Sequence, residues 1–509
     1  MVNSLSRVTD DPRVAISSDE YDRIAIAKKY YADDFDYIHY RNTYGQECKR
    51  VLSSINVTKL AARRLASIIF NEQCKVVIDD DSAQALFDDI AKDESFYTTL
   101  EEYLEKWIAL GSGAIRPYVQ DDKIKLAWII ADQFYPLESN TNEVNNACIS
   151  SQTVKSENGK QVYYTLLEFH QWQDDGTYSI TNELYRSESP DIIGDNVPLN
   201  TLSEYADLLP QVNLLGLKEP LFAFFKTPGA NNQSIESPLG LGLVDNSKNT
   251  VDAINRTHDQ FVWDVKMGKR RVAVPAEMLG SVRTMQGQDE MHPKMFDSEQ
   301  DVYEAMYGDT DQLKITDLTT EIRTQQYQDA MNFFLSEFEN EVGLSQGTFT
   351  NTPNGLQTAT EVVSNNSMTY QTRSSYLTQV EKMIQSLVVS ILEVAQAGQL
   401  FSSGQSQWSG DPSKVAVRVD FNDGVFVDRN AQAQQDMQAM TNKVMPRIEF
   451  LKRNYDLDDE TAQKWLDQVD NETEMPAPLA ESGVFGGGED NGAANNDNGG
   501  DATTSGTDD

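Results

Sequence analysis

Apolar residues recur at three- and four-residue steps from Ser17 to about Ala32, and again through Lys59-Leu-Ala-Ala-Arg-Arg-Leu-Ala-Ser-Ile-Ile-Phe70. That spacing lines one face of an α-helix, so both segments are predicted as packed helices. A third helix is predicted from Phe96 to Leu110, stopped by Gly111-Ser112-Gly113, where glycine takes the left-handed cap conformation without a Cβ clash. The period then drops to two. Ala114-Ile-Arg-Pro-Tyr118 and Lys125-Leu-Ala-Trp-Ile-Ile130 flank Asp121-Asp122, while Val162 to Phe169 and Tyr178 to Tyr185 flank Asp174-Asp175-Gly176. Both pairs predict hairpins, and the first 230 residues read as a mixed α+β region.

After Pro228-Gly229-Ala-Asn-Asn232 the pattern lengthens. Ser237-Pro238 fits a helix start, with serine as N-cap and proline in the first turn. Leu239, Leu243, Ser247, Val251, Ile254, His258, Phe261 and Val265 then form one narrow stripe that predicts a helix over 238–266, stopped by Gly268. Such a helix is about 43 Å long, and its mostly polar remainder suits packing against neighbours better than a globular core. A second long helix is predicted from about Thr320 to Val342, with Tyr327, Ala330, Phe334, Phe338 and Val342 on one face and Gly343 at its end. Between the two lies a region of short elements that opens on Lys269-Arg270-Arg271-Val-Ala-Val-Pro275.

A polar loop, Ser345-Gln-Gly-Thr-Phe-Thr-Asn-Thr-Pro-Asn-Gly355, comes next. Thr358-Ala-Thr-Glu361 follows as a capping box, in which the threonine hydroxyl and the glutamate carboxylate each accept an otherwise unpaired backbone N–H. The helix it starts is predicted to reach Gln396, with a kink between a Ser/Thr/Asn-rich first half and an apolar second half. Val415, Val417, Val419 and Phe421 alternate as a strand, and Asp428 to Leu451 and Asp458 to Val469 are predicted as two helices. Beyond about residue 471 the chain is rich in Gly, Asn, Asp and Thr, too poor in apolar groups to offset the entropy of ordering, and is expected to stay disordered.

Composition narrows the function. At 509 residues, 39% of them hydrophobic, the chain has material for two or more cores or one elongated subunit. Its net charge of −38, from 42 Lys+Arg against 80 Asp+Glu, excludes a reader that grips nucleic acid with a basic face. Cys48, Cys74 and Cys148 are isolated and odd in number, so neither a disulfide framework nor a Cys-x-x-Cys metal site is expected, and they read as buried thiols in a reducing compartment. With neither a long apolar run nor an apolar leader, a cytosolic origin without membrane or secretion is the expectation.

The candidate chemistry is thin. Gly343-Leu-Ser345-Gln-Gly347 matches a nucleophile elbow, yet a predicted helix precedes the serine, and His39, His170, His258 and His292 all come before it, so the hydrolase order cannot be met. Gly159-Lys160 and Gly268-Lys269 are followed by Gln and Arg, which rules out a phosphate-cradling loop of the Walker type. Acidic pairs such as Asp33-Asp34 and Asp458-Asp459 read as solvated faces. The expectation is a protein without catalytic residues, metal or cofactor, and no enzyme. Lys266, Lys269, Arg270 and Arg271, with Lys59 to Arg64, are the densest basic spots, and a solvated or subunit-pairing role fits them better than DNA reading.

Taken in order, several of these segments resemble the portal proteins of long-tailed phages of Gram-positive hosts. They are Leu65-Ala-Ser-Ile-Ile-Phe-Asn-Glu72, Leu110-Gly-Ser-Gly-Ala114, Ala131-Asp132-Gln-Phe-Tyr-Pro136, Glu183-Leu-Tyr185, Ser237-Pro-Leu-Gly240, Lys269-Arg-Arg-Val-Ala-Val-Pro275 and Thr358-Ala-Thr-Glu-Val362. The resemblance spans roughly residues 20 to 470. It implies an elongated α+β subunit of a ring, usually of twelve copies. A wing would occupy 1–237, with a disordered extreme N-terminus, and 399–427. Stem helices would be 238–266 and 320–343, packed through Val251, Ile254, Phe261, Phe334 and Phe338. A clip at 267–319 would dock partners through Lys269, Arg270 and Arg271. A tunnel loop at 344–357 would face DNA with Gln346, Thr348, Phe349, Thr350, Asn351 and Asn354. A long helix over 358–398, capped by Thr358 and Glu361, and crown helices at 428–470 complete the subunit.

The implied partners are other copies of the chain, the terminase, the head–tail adaptor, major capsid and scaffolding proteins, and double-stranded DNA that passes without sequence specificity. The implied location is the capsid vertex of the virion, after synthesis in the host cytoplasm. Two other classes stay open at this point: another capsid-interior or scaffolding protein, and an acidic metal-dependent hydrolase.

Overall fold

The structure is a computed structural model that describes residues 3–42, 45–71, 73–138, 143–268, 321–350, 366–421, 429–455 and 457–474, together with short strands at Val272–Pro275, Tyr303–Met306 and Thr316–Asp317. It divides into two compact units, 1–426 and 427–509.

Among the described residues, the helices of the first unit are α1 (Ser18–Ala32), α2 (Val57–Ile69), α3 (Asp81–Asp93), α4 (Phe96–Leu110), α5 (Leu243–Met267), α6 (Thr324–Glu341) and α7 (Ser367–Gln396). Its largest sheet has seven strands, in the order Ser4–Leu5, Gly194–Val197, Tyr178–Ser187, Lys160–Trp172, Ala147–Glu157 and Phe134–Pro136, with Gln211–Leu214 also paired to Tyr178–Ser187. A second sheet pairs Ala223–Lys226 with Ser112–Gln120 and that strand with Lys123–Ile130. Both expected hairpins form. Gln120 pairs with Lys123 across Asp121 and Asp122, whose φ angles of 53° and 57° suit the two-residue turn whose twist matches that of the strands.

The core of this unit gathers around Trp107 at the end of α4. Its ring stacks against Phe225 at 5.6 Å and Trp128 at 6.0 Å, and its indole N–H donates to the Ile129 carbonyl at 2.8 Å. Gly111 closes α4 at φ +97°, as expected, but its second role lies outside local sequence. The stretch Leu239–Gly242 runs against it so closely that a Cβ on Gly111 would stand 2.4 Å from the Gly240 carbonyl oxygen.

That contact moves the start of α5. The helix begins at Leu243 rather than 238, because Ser237 turns its hydroxyl to the Glu20 carboxylate at 3.0 Å, and Asp245 takes over as the acceptor of the Gly242 N–H at 2.6 Å. α3 was not foreseen. Asp80 caps it by accepting from the Ala83 N–H at 2.8 Å, and Ala83, Phe87, Ile90 and Ala91 form its buried face. Cys74 and Cys148 are buried, whereas Cys48 is only half-buried, contrary to expectation, because its strand Glu47–Arg50 lies in a two-stranded hairpin with one face open.

From Ser367 to Gln396, α7 is one uninterrupted helix, and Val380, Ile384, Leu387, Ile391 and Val394 are buried along it. Thr358 and Glu361, its expected capping box, lie outside the described residues. Near its end, Glu393 is 3% exposed and accepts the backbone N–H groups of Lys218 at 2.7 Å and Glu219 at 3.3 Å. Burial pushes its carboxyl up to about 7. The folded protein therefore holds this proton at pH values where the unfolded chain has released it. The resulting stability is full below the unfolded value of 4.5 and is lost as pH rises through about 7. The loss amounts to about 3 kcal/mol at 1.36 kcal/mol per unit. Glu393→Gln is expected to melt higher than the parent at pH 8 and alike near pH 4 in thermal scans; a lower melting point at pH 8 would contradict this.

The second unit contains α8 (Arg429–Thr441), α9 (Arg447–Tyr455) and α10 (Asp459–Glu474). The single helix expected over 428–451 is two. Lys443 adopts φ +59°, the Val444 and Met445 N–H groups fold back onto the Ala439 carbonyl, and Pro446, which has no N–H to give, precedes the new helix.

Candidate functional site: a helix pair and the loop rooted on it

α5 and α6 lie side by side and antiparallel. Thr250 donates to Glu341 at 3.1 Å, the rings of Phe261 and Tyr327 meet at 5.2 Å, and Arg323 reaches Asp264 at 3.5 Å, so rising numbers on one helix match falling numbers on the other. Of the five residues expected to pack the pair, Val251, Ile254 and Phe338 are buried, while Phe261 and Phe334 are half-buried. Burial fades toward Gly268, where Val262 and Val265 are exposed. The pair is therefore buried at its Val251–Phe338 end and more exposed toward Gly268, where Phe261–Tyr327 and Asp264–Arg323 still join the helices.

Carboxylates on α5 provide much of that hold, and the reading of its apolar stripe missed them. Asp259 accepts both terminal nitrogens of Arg50 at 2.5 and 2.6 Å and the Ser53 N–H at 3.0 Å; the Arg50 hydrogen bonds hold its carboxyl below the usual range. Asp252 accepts from the Tyr30 hydroxyl at 2.7 Å, and Asn255 accepts the Ile55 N–H at 3.1 Å. Asp245 pairs with Arg23, yet burial pushes its carboxyl up. Polar residues one or two turns apart are a weak signal, since polar positions on a helix ordinarily read as its solvated side.

The chain leaves α6 by a tight turn. Gly343 takes φ +74°, and the Leu344 N–H donates back to the Glu339 carbonyl at 2.8 Å. Glu339, 0% exposed, then organises the loop. Its carboxylate accepts the N–H groups of Gly347 at 3.2 Å, Phe349 at 2.5 Å and Thr350 at 3.1 Å, and the Thr350 hydroxyl at 3.3 Å. Ser345 and Thr369 clasp each other: the Ser345 N–H donates to the Thr369 hydroxyl at 2.8 Å, and the Thr369 N–H donates to the Ser345 hydroxyl at 3.2 Å. Phe349 folds over Phe338 at 6.3 Å. Gln346 is exposed, while Thr348, Phe349 and Thr350 are half-buried. Of the other expected loop residues, Asn351 and Asn354 lie outside the described residues, as do Lys269, Arg270 and Arg271.

The arrangement anchors the loop between α6 and α7. The hydroxyls of Ser345 and Thr369 lie 3.0 Å apart, and the His258 ring is engaged with the Ser53 carbonyl at 2.8 Å. Among the described residues, no group of three or more His, Cys, Asp or Glu side chains comes together to hold a metal, and no helix is long and apolar enough to cross a membrane.

A family model described as "Phage portal protein, SPP1 Gp6-like" matches residues 10–475, nearly the whole chain. The chain belongs to the phage portal protein family. It is thus a component of the virion of a tailed phage, of the head–tail connector type, and the family is structural. A solved structure titled "Neck of native GTA particle computed with C12 symmetry" is similar to this portal family member at 9% identity and a TM-score of 0.36, covering 77% of this chain and 87% of that one. No curated protein matches.

Proposed function

We propose that the chain is the repeating subunit of the portal ring at one capsid vertex, a passive channel through which double-stranded DNA is packaged and ejected, and not an enzyme. The observation that carries this reading is the antiparallel pair α5 and α6, joined in sequence by residues 268–323 and followed by a loop whose root is fixed on Glu339. In this reading α5 and α6 form the stem and 267–319 the clip. Residues 344–357 are the tunnel loop, α7 lies beside the channel, 428–470 is the crown, and 1–237 with 399–427 is the wing.

A loop that touches moving DNA needs a fixed base and a neutral polar tip, and Gln346 to Thr350 supply the base side of that requirement. The net charge of −38 per copy favours a wall that DNA slides past, because like charges disfavour adhesion, and it gives no sequence specificity. The ring is read as twelve copies. Its clip, with Lys269, Arg270 and Arg271, docks the terminase and the head–tail adaptor, and its outer surface meets major capsid and scaffolding proteins. No cofactor is assigned.

Deleting Gln346 through Asn354 is expected to leave the subunit count unchanged and to reduce packaged DNA at least severalfold in an infection-complementation assay. Packaging at the parental level would remove the loop from the channel.

A further inference from the structure

Three exposed cations sit together on α2, in a surface where acids otherwise prevail. Lys59, Arg63 and Arg64 fall, with Leu60, in a sector of about 140° at about 100° per residue. None of the three has an ion-pair partner among the described residues, although the chain holds 80 acids to 42 cations. Elsewhere exposed lysines have found acids: Lys28 with Asp132 at 2.6 Å, Lys123 with Asp93 at 2.7 Å and Lys382 with Glu143 at 2.8 Å. α2 cannot rotate to hide its face, because Ala61, Ala62, Leu65, Ala66 and Ile69 are buried on the other side. Arg373 of α7 adds a further cation at its end, donating from Nε to the Ile68 carbonyl at 2.6 Å.

Leu60 decides between kinds of partner. It is 51% exposed and flanked by the cations. A phosphate backbone has no use for an apolar contact among the charges, whereas a protein surface does. A closed ring of identical copies also needs, on each copy, two different surfaces that complement one another. The second surface is present. α3 exposes Asp81, Asp88 and Asp89 on one face, outnumbering Lys92 beside them, while Ala83, Phe87 and Ile90 bury the other. Both helices pack on α4, which fixes their separation.

We propose that the α2 face of Lys59, Leu60, Arg63 and Arg64 docks on the acidic α3 face of the next copy and sets one charged contact of the ring. The inference rests on the ring reading above. The test compares the parent chain with Arg63→Glu/Arg64→Glu, with Asp88→Arg/Asp89→Arg, and with all four changes together, by mass photometry at fixed concentration and salt. Circular dichroism serves to show that each variant folds. Each pair alone is expected to lower the ring fraction by about tenfold, and the combined variant to recover it.

Normal rings from Arg63→Glu/Arg64→Glu would overturn the inference alone. So would the same variant forming normal rings while binding linear duplex DNA more weakly, which would reassign the face to DNA. Two disrupting pairs without mutual rescue would overturn the choice of α3. A parent chain that forms no ring would overturn this inference and the function on which it rests.

Discussion

Gly111→Ala is expected to cost the first unit about 4 kcal/mol, read as a lower denaturant midpoint, and to cut the yield of folded protein. Two costs add. The residue sits at φ +97°, where an L side chain is strained, and its new methyl would stand 2.4 Å from the Gly240 carbonyl oxygen and 2.7 Å from the Leu241 carbonyl carbon, both backbone atoms. A flexible side chain could yield; backbone held by further contacts cannot. The Thr227 N–H donates to the Gly111 carbonyl at 3.0 Å and the Gly240 N–H to the Ser112 hydroxyl at 2.8 Å, so strain at Gly111 passes directly to the stretch that leads into α5. A variant with an unchanged midpoint would show that this seam is loose.

Glu339→Ala is expected to have the second largest effect, and one closer to function. The change strands three N–H donors of Gly347, Phe349 and Thr350 that share one carboxylate, and hydrogen bonds to a charged group are worth more than neutral ones. A loss of about 3 kcal/mol follows, concentrated in the loop root. Limited proteolysis is expected to cut between Gly343 and Thr350 much faster than in the parent, and DNA packaging is expected to fall with it. Glu339→Gln keeps one acceptor oxygen and should fall between the two. Equal cleavage of the alanine variant and the parent would mean that the carboxylate does not fix the loop.

Where the fold is dictated within a few residues, it was legible in the sequence. Asp121-Asp122 turns the first hairpin as read, Phe96 and Leu110 bound α4 as read, and Gly343 ends α6 as its position implied. Local rules failed where a distant partner outbid them. Ser237-Pro238 has the chemistry of a helix start, yet the serine is drawn to Glu20, 217 positions away, and the stretch that packs Gly240 against Gly111 stays outside the helix. The break before α9 has a local cause that the sequence shows, because Pro446 has no N–H to continue a helix.

The candidate site divides in the same way. Its frame of two long helices and a polar loop follows from periodicity and turn residues. Its fastening does not, since Arg50 and Asp259 are 209 positions apart and Glu339 spends its charge on backbone groups that any sequence would supply. Buried acids on helices look, in sequence, like the solvated acids that a chain of this charge carries everywhere.

In a portal ring these parts repeat around an axis. Electron microscopy of the purified full-length chain, viewed down that axis, is expected to show closed rings of twelve copies around a central opening; a chain that stays monomeric at high concentration, or that assembles without an axial channel, would contradict this.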